Sequence, residues 1–229
     1  MRETRPAAER FVGVVAGVFV AVNGAILYLF LLQFPFGLTP FLASLRHWDR
    51  LTPRIFVAAA LAAALAVVAR LAVSALPERW KDRLTYWRGG EAHPARDVFF
   101  TTRRQPFDGA EAVRAFPEVK EAAFAPARQL AVWRRLEAER AAHPIVAGTR
   151  AYWLLVRDLH LLSLAVLLAF LVSWPINGAL PFAVAAPYLF VFGTQYLFLL
   201  LTARRAGHRY ADTVLAIALG IEPGGGGRR

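Results

Sequence analysis

The chain has 229 residues, 27 Lys or Arg against 16 Asp or Glu for a formal net charge of +11, and 57% hydrophobic residues. With a mean hydropathy of +0.42, it is greasier than an ordinary soluble domain, which is roughly 45–50% apolar, so lipid is expected to be its main solvent. It has no cysteine, which excludes disulfides, zinc–thiolate sites and thiol catalysis.

Residues 11–33 form the first uninterrupted apolar run. About 20 such residues cross a hydrocarbon core. The run is longer than a signal-peptide core of about 7–15 residues and no small-residue cleavage site follows it, so it reads as a retained helix. Gly13, Gly17, Ala21 and Ala25 recur every four residues on it, a stripe of the kind that lets helix backbones approach closely in lipid. Pro35 and Pro40 end the helix and shape the 34–54 connection. The second run, 55–76, is alanine-rich and carries Arg70 near one end, where a long side chain extends to the interface. The two runs are expected to close into a tight hairpin.

Residues 77–150 are the largest polar piece. Pro77 suits the first turn of a helix, and Trp80, Leu84 and Trp87 follow at helical spacing among Arg79, Lys81, Arg83 and Arg88. That predicts a basic amphipathic helix on a membrane surface, with Trp80, Arg83, Trp87 and Arg88 meeting anionic headgroups. Gly89 and Gly90 end it. Residues 98–102 read as a short extended piece, and Asp108 with Glu111 resembles a capping box. Pro126 opens a helix with Leu130, Trp133 and Leu136 on one face, and Pro144 stops it. The segment is small for a generous core of its own, so it is expected to pack on the membrane helices or on neighbouring subunits. His93 and His143 each precede a proline, but Glu91 and Asp97 nearby do not complete a ligand set, so no metal or other cofactor is expected.

The third and fourth runs, 159–176 and 181–202, are separated by a four-residue turn and are expected to be antiparallel neighbours, the third helix beginning near Thr149. Trp174 and Tyr188 are placed near an interface. Arg157, Asp158 and His160 gather at the polar edge of the third run. With Arg70 they are candidates for a ligand contact or a gate, against the plainer use in which Arg157 marks the interface and Asp158 pairs with it or with Arg70. Asn23, Thr194 and Gln195 are polar at membrane depth. They either line a pore or hydrogen-bond between helices, the commoner use, worth roughly 0.6 kcal/mol. Residues 204–219 read as an amphipathic tail helix, followed by a flexible Gly224–Gly227 stretch and Arg228–Arg229.

The fold class is therefore an all-α integral membrane protein with four crossings: a first hairpin over 1–76, an insert over 77–150, a second hairpin over 151–203 and a tail over 204–229. Basic residues concentrate in 1–10, 77–150 and 203–229, while 177–180 has none. This bias puts both termini and the insert in the cytoplasm of a bacterial inner membrane; Arg46, Arg50 and Arg54 in the 34–54 connection run against it. No glycine-rich phosphate loop, Ser-His-Asp order, paired-carboxylate motif or His-Glu-x-x-His occurs, so no catalytic residue is assigned. The fourteen basic residues of 77–150 are interleaved with ten acids, which argues against nucleic acid as a partner.

Three patches, Arg83-Leu84-Thr85-Tyr86-Trp87-Arg88, Ala131-Val132-Trp133-Arg134-Arg135-Leu136 and Arg150 through Asp158, resemble a group of uncharacterised bacterial inner-membrane proteins with two helical hairpins and a cytoplasmic insert. The resemblance covers mainly residues 75–175. It implies association with accessory and anti-phage defence loci, where membrane components act as sensors or effectors beside a cytosolic partner. No functional residue carries over, since the group has no established site. The expected function is a non-enzymatic membrane component acting as anchor, sensor or effector with a cytosolic protein, as a homo-oligomer. The alternative is a pore-forming effector or a small transporter.

Overall fold

A computed structural model describes residues 4–34, 36–37, 39, 42, 52–176 and 181–221. Most of the 34–54 connection, the turn 177–180 and the glycine-rich end lie outside the described residues. The described chain is helical, with no strand among those residues. Helices α1 (Thr4–Leu31), α2 (Thr52–Ala75), α7 (Pro144–Ile176) and α8 (Phe182–Ala218) are each long and apolar enough to cross a membrane. Between them lie α3 (Glu78–Tyr86), a 3-10 turn (Pro94–Asp97), α4 (Gly109–Ala115), α5 (Pro117–Glu121) and α6 (Pro126–Arg140). Pro94, Pro117, Pro126 and Pro144 each open a helix, where the missing N–H has no intrahelical partner to lose. Pro144 thus starts α7 upstream of the expected Thr149.

The chain divides into two compact units. One comprises Met1–Leu76 and Asp158–Leu199, the other Pro77–Arg157 and Leu200–Arg229. We call them the apolar and the polar unit.

In the apolar unit, Phe30, Phe170, Tyr188 and Phe192 form an aromatic centre, with ring centroids 4.7 Å apart for Phe30–Phe170, 5.3 Å for Phe30–Tyr188 and 5.5 Å for Phe170–Phe192. Tyr188 is fully buried and its hydroxyl donates to the Phe34 carbonyl at 2.8 Å. It is a core residue, and one internal acceptor satisfies its only polar group. Helix α1 meets α2 through Val20, Asn23, Gly24 and Leu27, facing Ala62, Leu65, Ala66 and Ala69, and a Cβ on Gly24 would lie 3.8 Å from that of Ala66.

The Gly13–Gly17–Ala21–Ala25 stripe does not make this contact: all four residues are exposed, and nothing lies within 4 Å of a Cβ built on Gly13 or Gly17. A strict period of four drifts about 40° per step around a helix of about 3.6 residues per turn. Spacings of seven, four and three, as in Ala16, Asn23, Leu27 and Phe30, hold one face, and these four are the buried ones. Val14, Val18, Val22, Val57, Leu61, Val67 and Leu71 point outward, as lipid-facing positions should.

The polar unit has its own core. Val98, Leu130, Trp133, Leu136, Val146 and Trp153 pack with Tyr210, Ala211, Val214 and Leu215 of α8, each large side chain contributing about 1.5–3 kcal/mol by leaving water. The insert thus packs on an extension of a membrane-length helix, as its small size led one to expect, but the 204–219 stretch is no separate surface helix. Helix α8 runs unbroken through Thr202–Ala218. Its 37 residues extend about 55 Å, well past a hydrocarbon core of about 30 Å.

Side chains fasten the loops to this core. Trp133 donates its indole N–H to the Ala211 carbonyl at 3.1 Å, and Trp153 stacks on Tyr210 with centroids 5.3 Å apart. Arg103 forks onto Asp212 at 3.0 and 3.3 Å, and Gln105 donates to the same carboxylate at 3.0 Å. Residues 98–100, expected to be extended, are bends. Gln129 explains why: its Oε1 accepts from Phe99 N–H and its Nε2 donates to the Phe124 carbonyl, so a side-chain amide takes the place of a strand neighbour. Asp108 caps α4 by accepting from Ala110 N–H at 3.0 Å.

One close approach fixes a glycine. A Cβ on Gly207, in mid-α8, would overlap the Tyr86 hydroxyl oxygen and lie 2.8 Å from Trp153 Nε1. Glycine in a helix interior costs about 1 kcal/mol relative to alanine. Here the Tyr86 side chain occupies the space that any larger residue would need.

Candidate functional site: a charged cleft in the polar unit

Helix α3 carries two faces. Lys81, Asp82, Thr85 and Tyr86 are buried, whereas Trp80, Leu84 and Trp87 are exposed, Trp87 at 64%. The polar face therefore turns inward and the aromatic face outward. The cause is Arg157, whose side chain is only 3% exposed. Its guanidinium reaches Asp82 at 3.0 Å and also hydrogen-bonds Glu78. Glu78 and Asp82 are four residues apart, so one helix face presents both carboxylates to one fork. Lys81 pairs with Glu78 at 3.2 Å. The guanidinium also lies 5.0 Å above the Trp153 ring. At the other end of α3, Arg204 donates to the Thr85 carbonyl at 2.7 Å and sits 4.7 Å over the Trp87 ring.

These residues form one wall of a cleft of about 580 Å³. Helix α3 supplies Glu78, Arg79, Asp82 and Arg83; the segment after it supplies Gly90, Glu91 and His93; α6 supplies Arg134; and α7 supplies Arg150, Trp153 and Arg157. Five arginines thus face three carboxylates. They are not held alike. Arg157 is buried and locked, but Arg134 meets Glu91 at 3.9 Å and Arg150 meets Glu137 at 3.6 Å, with both arginine side chains more than half exposed. Exposed pairs of that kind are worth about 0–1 kcal/mol, so an incoming anion displaces them at little cost.

His93 lies between aromatic rings, 4.8 Å from Trp133 and 5.6 Å from Trp153. Its Nδ1 accepts from Ala95 N–H at 3.2 Å, so in the neutral ring Nε2 carries the hydrogen. Burial first, then the positive charges of Arg134 and Arg157, push its pKa down to about 3. At neutral pH it is an uncharged donor. Burial raises the Asp82 pKa against the pull of Arg157. Burial acts in the same sense on Glu78, but there Arg157 and Lys81 outweigh it and the pKa is lowered. Burial also raises the Tyr86 pKa.

The residues singled out in the sequence are distributed as follows. Arg157 belongs to the cleft. Arg70, Asp158 and His160 belong to the apolar unit, where Arg70 is exposed and His160 is fully buried, its ring 5.2 Å from Tyr196. Asn23 is buried, donates to the Phe19 carbonyl at 2.9 Å and accepts from Gln195 at 2.9 Å; Thr194 is exposed. Arg83 covers the Trp80 ring at 5.0 Å, and Arg88 pairs with Asp97 at 3.1 Å. The carbonyl of His143 accepts from Ala147 N–H at the start of α7. Among the described residues no group of three or more His, Asp or Glu gathers as a metal site.

Sequence reasoning passed over Glu78 and Asp82, weighed Glu91 only as a metal ligand, and gave Arg134 and Arg150 no site role. One signal for them was present. Arg150, Trp153 and Arg157 share a face of α7, and Glu78 and Asp82 share the face of α3 opposite the aromatics. Comparison with protein-family models, with curated proteins and with solved structures returns no match, so the cleft is read from its own residues.

Proposed function

We propose that this chain is a non-enzymatic component of a bacterial inner membrane whose polar unit, in the cytoplasm, receives a soluble partner and passes its binding to the membrane-crossing helices. The observation that carries this reading is the Arg157 fork on Glu78 and Asp82. Arg157 lies on α7, itself long and apolar enough to cross a membrane, and α3 begins two residues after α2, another such helix. A partner that competes for this ion pair acts directly on segments continuous with, or next to, the crossings. The concentration of arginine in 77–150 supports the cytoplasmic side. The exposed Trp80–Leu84–Trp87 face, so close to the end of α2, supports contact with anionic headgroups. The resemblance over 75–175 supports action beside a cytosolic protein in accessory or anti-phage defence loci, and the exposed Gly13–Gly17–Ala21–Ala25 stripe supports a homo-oligomer.

The test uses the absence of cysteine. An introduced Glu91→Cys is to be labelled by a membrane-impermeant maleimide after permeabilisation and not in intact spheroplasts. A photo-cross-linker in place of Arg134 is to capture one protein reproducibly from native membranes. Labelling of intact spheroplasts overturns the orientation, and a strictly monomeric protein with no cross-linked partner overturns the relay.

A further inference from the structure

We infer that the cleft binds a phosphate ester, through Arg83, Arg134 and Arg150 with His93 Nε2–H as an additional donor. This assigns a ligand class to the cleft on which the relay reading rests. Three independent features of the site lead to it.

The first is charge. Arg157 engages Glu78 and Asp82, leaving Arg79, Arg83, Arg134 and Arg150 along a wall whose remaining carboxylate is Glu91. Arg134 and Arg150 are held by long, exposed pairs. They need little desolvation or rearrangement to turn towards an anion.

The second is the choice of cation. Every cation lining the cleft is arginine. Lys81, on the same helix, is buried and paired with Glu78. A guanidinium presents a planar fork that matches two oxygens at once, which suits phosphate better than the point charge of an ammonium. The forks come from three different helices, α3, α6 and α7. A lone carboxylate holds its two oxygens in one plane and does not satisfy forks from three directions, whereas the tetrahedral phosphorus of a phosphate ester turns its oxygens, three terminal ones in a monoester and two in a diester, out of any single plane.

The third is size and lining. A volume of about 580 Å³ lies within the roughly 300–1,000 Å³ of small-molecule sites. The buried Trp153 and the neutral His93 give it an uncharged portion beside the arginines.

The same chemistry has two sources: a soluble phosphorylated metabolite, or the headgroup of an anionic phospholipid. The experiment separates them. Full-length protein is reconstituted in nanodiscs of phosphatidylcholine alone or with phosphatidylglycerol, and inorganic pyrophosphate is titrated at constant ionic strength while tryptophan emission is followed. Saturable binding in phosphatidylcholine is expected, weakened at least 10-fold by Arg134→Gln with Arg150→Gln and by the corresponding pair of Lys substitutions. Equal binding in both bilayers identifies a soluble ester. Binding abolished by phosphatidylglycerol identifies the headgroup. The altered side chains are more than half exposed, so an unchanged melting curve shows that the variants are folded. No saturable binding together with no preference for phosphatidylglycerol, or unaltered affinity in the Gln pair, overturns the assignment. Cross-linking at position 134 does not depend on pyrophosphate, so the relay reading fails or survives separately.

Discussion

Replacing Gly207 with alanine tests the packing of the polar unit through the sign of its effect. In an ordinary helix the change stabilises, by about 1 kcal/mol from propensity. Here the new methyl would overlap the Tyr86 hydroxyl oxygen and lie 2.8 Å from Trp153 Nε1 and 3.1 Å from Tyr86 Cζ, where carbon contacts settle at about 3.5–4.0 Å. Neither neighbour has room to retreat. Tyr86 is buried and set edge-on to His208 at 5.7 Å, and Trp153 is buried and stacked on Tyr210. Overpacking costs about 1–3 kcal/mol, and this overlap belongs at the upper end, so the net loss after the propensity gain is about 2 kcal/mol. For a chain of this length that is roughly 4–8 °C in melting temperature. The assay is thermal unfolding in detergent followed by tryptophan emission. Tyr86→Phe alone should change little, and combined with Gly207→Ala it should restore about half the loss, since the Trp153 contact remains. A Gly207→Ala protein that melts at or above the wild-type temperature, or a double variant whose losses simply add, refutes the reasoning.

Arg157→Met should destabilise by about 3 kcal/mol, the low end for a broken buried pair, because Asp82 is left buried while Glu78, 65% exposed, regains water; adding Asp82→Asn should recover most of it in the same melts. His93 stays neutral in the fold down to about pH 3, while an unfolded chain protonates it near 6.5. Its contribution is therefore complete above pH 6.5 and is lost as pH falls towards 3. His93→Asn, which keeps an acceptor for Ala95 N–H, should flatten that part of a stability–pH curve, and parallel curves would exclude the effect. Brominated lipid should quench emission from Trp80 and Trp87, so a Trp80→Phe/Trp87→Phe variant should show markedly less quenching; equal quenching removes the lipid-facing role of α3. Asn23→Leu alone should cost about 1 kcal/mol by stranding Gln195, whereas Asn23→Leu with Gln195→Leu should be nearly neutral; liposome flux that vanishes in the double variant would favour a pore instead.

The four crossings were legible because composition and run length suffice to mark them. Faces were not. In water the greasy side of a helix is the buried side, but in lipid both sides are greasy, and the choice between Gly17 and Ala16 turns on small differences in packing. Helix α3 shows the converse. Its aromatics and its charges both have helical spacing, and the sequence does not say that Arg157, some 75 residues later, claims the charged face. The cleft was hidden for the same reason: its arginines come from three helices, and only their meeting distinguishes them from the many solvated arginines of this chain. The merging of the 204–219 stretch into the core was masked by its four basic or histidine side chains, of which only Arg205 and Arg209 are exposed, while Tyr210, Val214 and Leu215 are buried.

Because Tyr210, Ala211, Val214 and Leu215 sit at the centre of the polar unit, that unit is finished late on the ribosome. Residues 77–157 are translated first and must wait for about 60 more, several seconds at about 5–20 residues per second. During that interval Leu130, Trp133 and Leu136 lack their covering helix. A chain cut short before residues 206–217 should leave the apolar faces of Leu130, Trp133 and Leu136 open to proteases.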